Sequence, residues 1–454
     1  MISTLTAEHL DRLFPRLPAV ADEQPATPAW VVTPDRPPTW HRFFDTSPIS
    51  PSGCFVAVTQ VDDDTVVPKP GDAARVVLVD LESGESRAVA ETRGWDTQLG
   101  AQVQWGVDDH QLLFNDMDPE AWKPFGRCVD PATDQSRRLS GTIYMANRAG
   151  TLAASPCLKR IGLTQGGYGV HVPESFVPRN VGLPKDDGVT LTDLVTGESK
   201  LAISIAQLVE PHRAKLEAVI GDHAGSYYTF HVKWSHGDTR LMVVVRFLFS
   251  DPEAVGRKHM PFLFTCLPDG RDSRLVVPAD SWALRGGHHP DWCPDGRVLM
   301  NLNMPGRDGL SFVTVNADGT DLRIEADGVP GSGHPTMHPD GKHILTDAYL
   351  HELDGDGATA PLRWVDANAS RESVLRFVVA EPIEAGPQRL WRVDQHPAWD
   401  RTFRWVTFNC IFEGVRSVAI SPSPLAATSG TAPAQLGNGL ASRTSRRPDA
   451  RPPA

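Results

Sequence analysis

His231, His289, His334 and His396 stand three residues before Trp234, Trp292, Met337 and Trp399. Three of the four precede a proline: Pro290, Pro335 and Pro397. Gln102 keeps the same offset from Trp105. One such histidine would be read as a hydrogen-bonder between neighbouring elements; four in register argue for a site. Asp394 lies two residues before His396 and points the same way by strand alternation. Imidazole with carboxylate suits a divalent transition ion, manganese first and zinc second. His289, His334, Asp394 and His396 are therefore the candidate metal ligands.

These residues need elements that bring distant segments to one place, and the sequence supplies a repeat. An apolar strand, a Ser/Asp-Gly turn and a second apolar strand recur from Ser47, Val103, Met145, Val232, Pro290, Pro335 and Pro397. The last copy lacks the glycine turn. A second turn follows most copies, at Leu81, Asp130, Leu194, Leu267, Asn316 and Asp366, between two further short β patterns. Each copy is thus two hairpins. Four-stranded units repeated around an axis make a β-propeller. The reading is all-β: a seven-bladed propeller over 41–422, with a short N-terminal extension (1–40) and a disordered tail (423–454). The innermost strand of each blade borders the central channel, so the histidines form a ring at one channel mouth.

Composition narrows the function classes. Basic residues number 44 and acidic residues 56, a net charge of −12 that argues against nucleic acid as partner. No run approaches the ~20 apolar residues of a membrane span. MISTLTAEHLDRLFPRL has acidic residues where a secretory h-region would be apolar, so the chain reads as cytoplasmic. Six scattered cysteines, none in CxxC spacing, read as reduced thiols. There is no GxSxG elbow, no phosphate-binding GxxxxGK[ST] and no HExxH. That excludes a propeller-bearing serine peptidase and a P-loop enzyme.

Further candidates follow from position. A glycine- and proline-rich insertion at about 158–184 carries Arg160 and Tyr168, and long loops of this kind often hold function. Tyr168 would deliver a phenol to the mouth. Arg160 and Arg246 offer cations for an anionic substrate. Gln102 and Asn115 are candidates for contacting substrate at the mouth. Asp347 and Tyr349 would support the ring from the sixth blade, whereas His288, His338 and His343 read as turn or surface residues.

HPDWCPDG, GHPTMHPDGKHILTD and VDQHPAWDRTFRWVTFN resemble the last blades of oligogalacturonate lyase and its TolB-like propeller relatives. The resemblance covers Phe43 to about Pro422. It implies a metal, usually manganese, that binds a uronate carboxylate while a basic residue removes the C5 proton. By this likeness His289 and His396 match metal histidines, and His231 matches a histidine facing the sugar. Asp394 and Trp391 stand where the family has a histidine and a glutamine, and Gly188 stands at its catalytic arginine. The expectation is a metal-dependent lyase cleaving a short uronate-containing oligosaccharide by β-elimination. His231, Tyr168, Arg160 and Arg246 are then the catalytic candidates. The alternatives are a non-catalytic propeller that binds a glycan or protein, and a metal enzyme acting on another sugar acid.

Overall fold

The computed structural model of the chain describes residues 5–20, 23–34, 37–349, 359–380 and 391–427. Seven four-stranded antiparallel sheets follow one another as the blades of a propeller. Their second strands are the most apolar segments: Phe55–Gln60, Leu112–Asp118, Leu241–Phe249, Val298–Asn303 and Trp405–Phe412. A blade's middle strands are covered on both faces, so they read as continuous apolar runs and not as strict alternation. The fourth strands take the polar load; Gln135–Arg138 is largely exposed.

Closure of the ring corrects the expected N-terminal boundary. Trp30–Val31 pairs with the strand Val415–Pro422 (Trp30 opposite Ile420) and is the outermost strand of blade 7. Thr39–Trp40 begins blade 1. Trp30–Val31 and Thr39–Trp40 thus belong to the propeller, the first pair because Val415–Pro422 would otherwise present a free edge. The helix Ala7–Leu13 forms as the pattern AEHLDRLF suggests, capped by Thr6. The expected tail lies outside the described residues, apart from the short helix Pro424–Ala427.

Tryptophans staple neighbouring blades. Trp105 Nε1 donates to Pro48 O (2.9 Å), Trp292 Nε1 to Lys233 O (3.2 Å) and Trp399 Nε1 to Thr336 Oγ1 (3.0 Å). Each bond crosses from an innermost strand to the blade before it. The recurrent Trp at this offset therefore has a packing role in the ring.

A segment with no counterpart in the other blades fills the channel. The innermost strand of blade 1 is split: Thr39–Trp40 pairs with Thr59–Gln60, and Ile49 bridges Val56. The intervening His41–Ser47 crosses the channel axis. Phe43 and Phe44 are 1% exposed there. Arg42 donates to Gln102 Oε1 (2.8 Å) and pairs with Asp45, and Lys233 pairs with both Asp45 (3.0 Å) and Asp291 (3.2 Å). This plug divides the channel into two dead-end pockets.

A candidate metal centre beside a cationic pocket

Two of the histidines, His231 and His289, sit on bulges. The register slips by a residue in the innermost strands of blades 4 and 5, between Thr229 and Val232 and between His288 and Asp291. His289 and His396 are held in the left-handed region (φ 52° and 48°), and Gln102 of blade 2 likewise (φ 59°). Non-glycine residues rarely adopt it, and a bulge re-aims one side chain out of the ladder. Here that direction is the channel.

His334, Asp394 and His396 are buried, and their donor atoms lie within 4.8 Å of one another. Asp347 fixes two of these residues. It accepts from His334 Nδ1 (2.9 Å), from the His334 backbone N (2.7 Å) and from the His396 backbone N (3.3 Å). Burial would raise the Asp347 pKa; its bonds to His334 outweigh burial and hold it below the ordinary value. The bond to Asp347 occupies His334 Nδ1 and leaves Nε2 as the ring nitrogen that can ligate. Among the described residues that Nε2 and both ring nitrogens of His396 have no hydrogen-bond partner. Burial, then the neighbouring His334, drives the His396 pKa far down, so its imidazole is neutral. Unpaired buried polar atoms cost about 1–3 kcal/mol each. Neutral imidazoles, a carboxylate and orphaned nitrogens fit a divalent ion, with Asp347 as the outer carboxylate that orients a ligand.

His289 adjoins this cluster without joining it. Its ring lies 3.9 Å, centroid to centroid, from that of His334. Its Nδ1 donates to Gly333 O (2.7 Å), and its Nε2 meets the Tyr349 hydroxyl at 3.3 Å. Asp394 also pairs with Arg392 (2.9 Å), which in turn donates to the Tyr168 hydroxyl (2.8 Å). This arginine chain from metal cluster to phenol gives no motif in the sequence.

Next to the cluster opens a cavity of about 320 Å³, and Phe43 of the plug packs against three of its lining rings, Tyr168, His231 and His289. Tyr168, His231, Arg246 and His289 all line it, and among the described residues no carboxylate does. Arg246 stacks 3.5 Å from the Phe230 ring centroid and donates to Gln165 Oε1 (3.0 Å). Among the described residues no acid pairs with it, and burial lowers its pKa to about 9. His231 stacks on Phe43 (5.3 Å) and hydrogen-bonds the Tyr144 hydroxyl through Nδ1. Burial, then Lys233 and Arg246, keeps His231 neutral. Burial likewise raises the Tyr168 pKa and keeps the phenol protonated. His259 and Trp282 line the cavity too and were not singled out by the sequence; His288, read there as a turn or surface residue, also lines it. The HH doublet at 288–289 was its one available signal.

Other candidates fall elsewhere. Arg160 pairs with Asp187 (3.0 Å), which also accepts from Asn180, so it pins the insertion and does not line the cavity. Gln102 is fully buried between Arg42 and the Tyr168 backbone carbonyl. Asn115 is buried too and clasps the backbone N and O of Ile143 in the next blade. Both are spacers of the ring interior, out of reach of a ligand. Trp391 packs edge-on against Trp40 (5.7 Å), away from the cluster. At Gly188 an added Cβ would meet Ile203 O at 2.0 Å, so the backbone there admits no side chain.

The fold and site thus define a seven-bladed β-propeller with a metal-competent channel pocket. No family model matches the sequence, and no curated protein matches it. Among solved structures the chain is similar to an oligogalacturonate lyase in complex with manganese, at 14% identity and TM-score 0.59, over 90% of this chain and 96% of that one. It is similar in equal measure to the oligogalacturonate lyase of Vibrio parahaemolyticus (15%, TM-score 0.59, 90% and 96%). TolB from Acinetobacter baumannii aligns at TM-score 0.36 and 12% identity over 82% of this chain and 80% of that one, too low to carry an argument. At these identities the likeness establishes the fold.

Proposed function

We propose that the protein is a metal-dependent lyase that cleaves a short uronate-containing oligosaccharide by β-elimination, with manganese as its ion. The observation that carries this reading is the pairing of the His334–Asp394–His396 cluster with a cavity that holds Arg246 and, among the described residues, no carboxylate. The likeness to a lyase structure in complex with manganese supports it.

An ion held by His334, Asp394 and His396, with His289 beside them, would supply Lewis-acid charge to a substrate carboxylate. The remaining work falls to the chain. Arg246 is free to pair with a second anionic group of the substrate. His231 is neutral and, when its Nδ1 donates to Tyr144, presents Nε2 as the acceptor for the C5 proton. Tyr168 keeps its proton and is placed to give it to the leaving oxygen. A cavity of about 320 Å³ limits the bound portion to a short oligosaccharide.

The test is incubation of metal-loaded protein with a panel of uronate oligosaccharides. β-Elimination leaves a 4,5-unsaturated uronate whose conjugation absorbs in the ultraviolet. Rising absorbance on one or more members is the expected result; no unsaturated product from a fully loaded protein overturns the lyase. One observation favours a binding-only propeller instead: the closed backbone at Gly188 excludes the arginine that the lyase resemblance expects there.

A further inference from the structure

We propose that the opposite mouth of the channel is a second ligand site, which clamps a small anion carrying a carboxylate or phosphate between Arg148 and Arg401. The plug separates this mouth from the histidine pocket. Phe44, Asp45 and Asp291 form its floor, and the turns of blades 3, 4 and 7 form its rim, around a cavity of about 290 Å³.

Arg148 and Arg401 stand on different blades and line the same cavity. Neither has an ion-pair partner among the described residues. Burial, then the Arg148 charge, lowers the Arg401 pKa, and the charges of Asp109 and Asp108 offset this only in part; burial likewise lowers the Arg148 pKa against the charges of Asp238 and Asp291. The acids near them are committed to backbone: Asp238 caps the backbone N of Arg148 and Ala149, Asp109 caps Ser52, and Asp108 caps His110. Asp400 lines the cavity, but its oxygens are spent on Thr402, Arg404 and Trp405. The floor acids are matched by Arg42 and Lys233. His236, bonded to Arg148, is neutral, its pKa lowered by burial to about 4.

Two cations that line one cavity without an ion-pair partner among the described residues gain free energy from an anion that reaches both. Arg401 is pre-oriented, since its guanidinium is held by the Trp105, Gly106 and Val107 carbonyls. Those carbonyls carry no net charge, and Asp109 and Asp108 act on this cation through space without an ion pair among the described residues. Arg148 has one side-chain partner, His236, and keeps donors to spare.

Calorimetric titration of metal-stripped, full-length protein at low ionic strength tests the site, with inorganic phosphate and glucuronate as separate probes. Saturable binding of either is expected, and which one binds assigns phosphate or carboxylate. Arg148→Gln and Arg401→Gln should each weaken it about tenfold or more, the loss of a charged hydrogen bond. Arg246→Gln, in the other pocket, should leave this component unchanged, so the result stands apart from the proposed lyase site. Arg148→Gln leaves every backbone bond of Arg401 in place and serves alone if Arg401→Gln fails to fold. Absence of saturable binding for both probes, or binding that survives Arg148→Gln at full strength, overturns the proposal.

Discussion

Asp347 accepts hydrogen bonds from the ring Nδ1 of His334 at 2.9 Å and from the backbone N of His396 at 3.3 Å. One carboxylate in blade 6 thereby orients ligands from two blades. Asp347→Asn keeps the size and removes the carboxylate charge at Nδ1. Metal affinity should fall by ~10–100-fold with the fold intact. A competition titration against a chelating dye reads it; unchanged affinity would sink the assigned role.

Purified protein should hold about one divalent ion per chain. His334→Ala and His396→Ala should each strip it, because each removes a nitrogen that otherwise stands unpaired. His289→Ala should weaken binding less, since Tyr349 already meets its Nε2. Elemental analysis decides, and full occupancy in the His334/His396 double variant ends the metal centre.

Tyr168→Phe and His231→Ala should each slow turnover by roughly 10²-fold or more if they are acid and base. Arg246→Gln should act mainly on KM, as loss of an anion partner. Equal activity of Tyr168→Phe and wild type would remove Tyr168 from the reaction.

Phe43 touches His231, His289, His334 and His396, at ring centroid distances from 4.7 to 6.3 Å. Phe43→Ala should cost about 3–5 kcal/mol by the cavity it leaves. It should also join the two pockets. Denaturant unfolding gives the first; a loss below 1 kcal/mol would mean that the plug is not part of the core.

Burial lowers the pKa of His41 and His259 to about 3 and of His236 to about 4, and holds His231, His289 and His396 far down. The unfolded chain binds these protons near the ordinary 6.5, the native chain only at much lower pH. Below pH 6.5 the unfolded state therefore gains protons first, and stability falls as pH falls. Metal-free protein should lose urea resistance between pH 7 and pH 5, and a flat midpoint over that range would contradict the burial of these rings.

The sequence by itself determined the blade count, the ring of histidines and the partnership of Asp394 with His396. Those signals are local: two turns per unit and an apolar doublet recur because every blade solves the same packing problem. Tertiary structure alone decided the rest. The plug occurs in one blade only, so no repeat announces Phe43, and its place on the axis depends on all seven blades closing. Strand Trp30–Val31 finds Ile420 at the far end of the chain, which composition cannot show. Gln102 shares the histidines' position, yet Arg42 from the plug claims it, and Arg160 is taken by Asp187. Arg246 is met by Gln165 and the Phe230 ring and by no acid among the described residues. A polar side chain's role depends on which partners reach it first, and that is fixed only when distant segments meet.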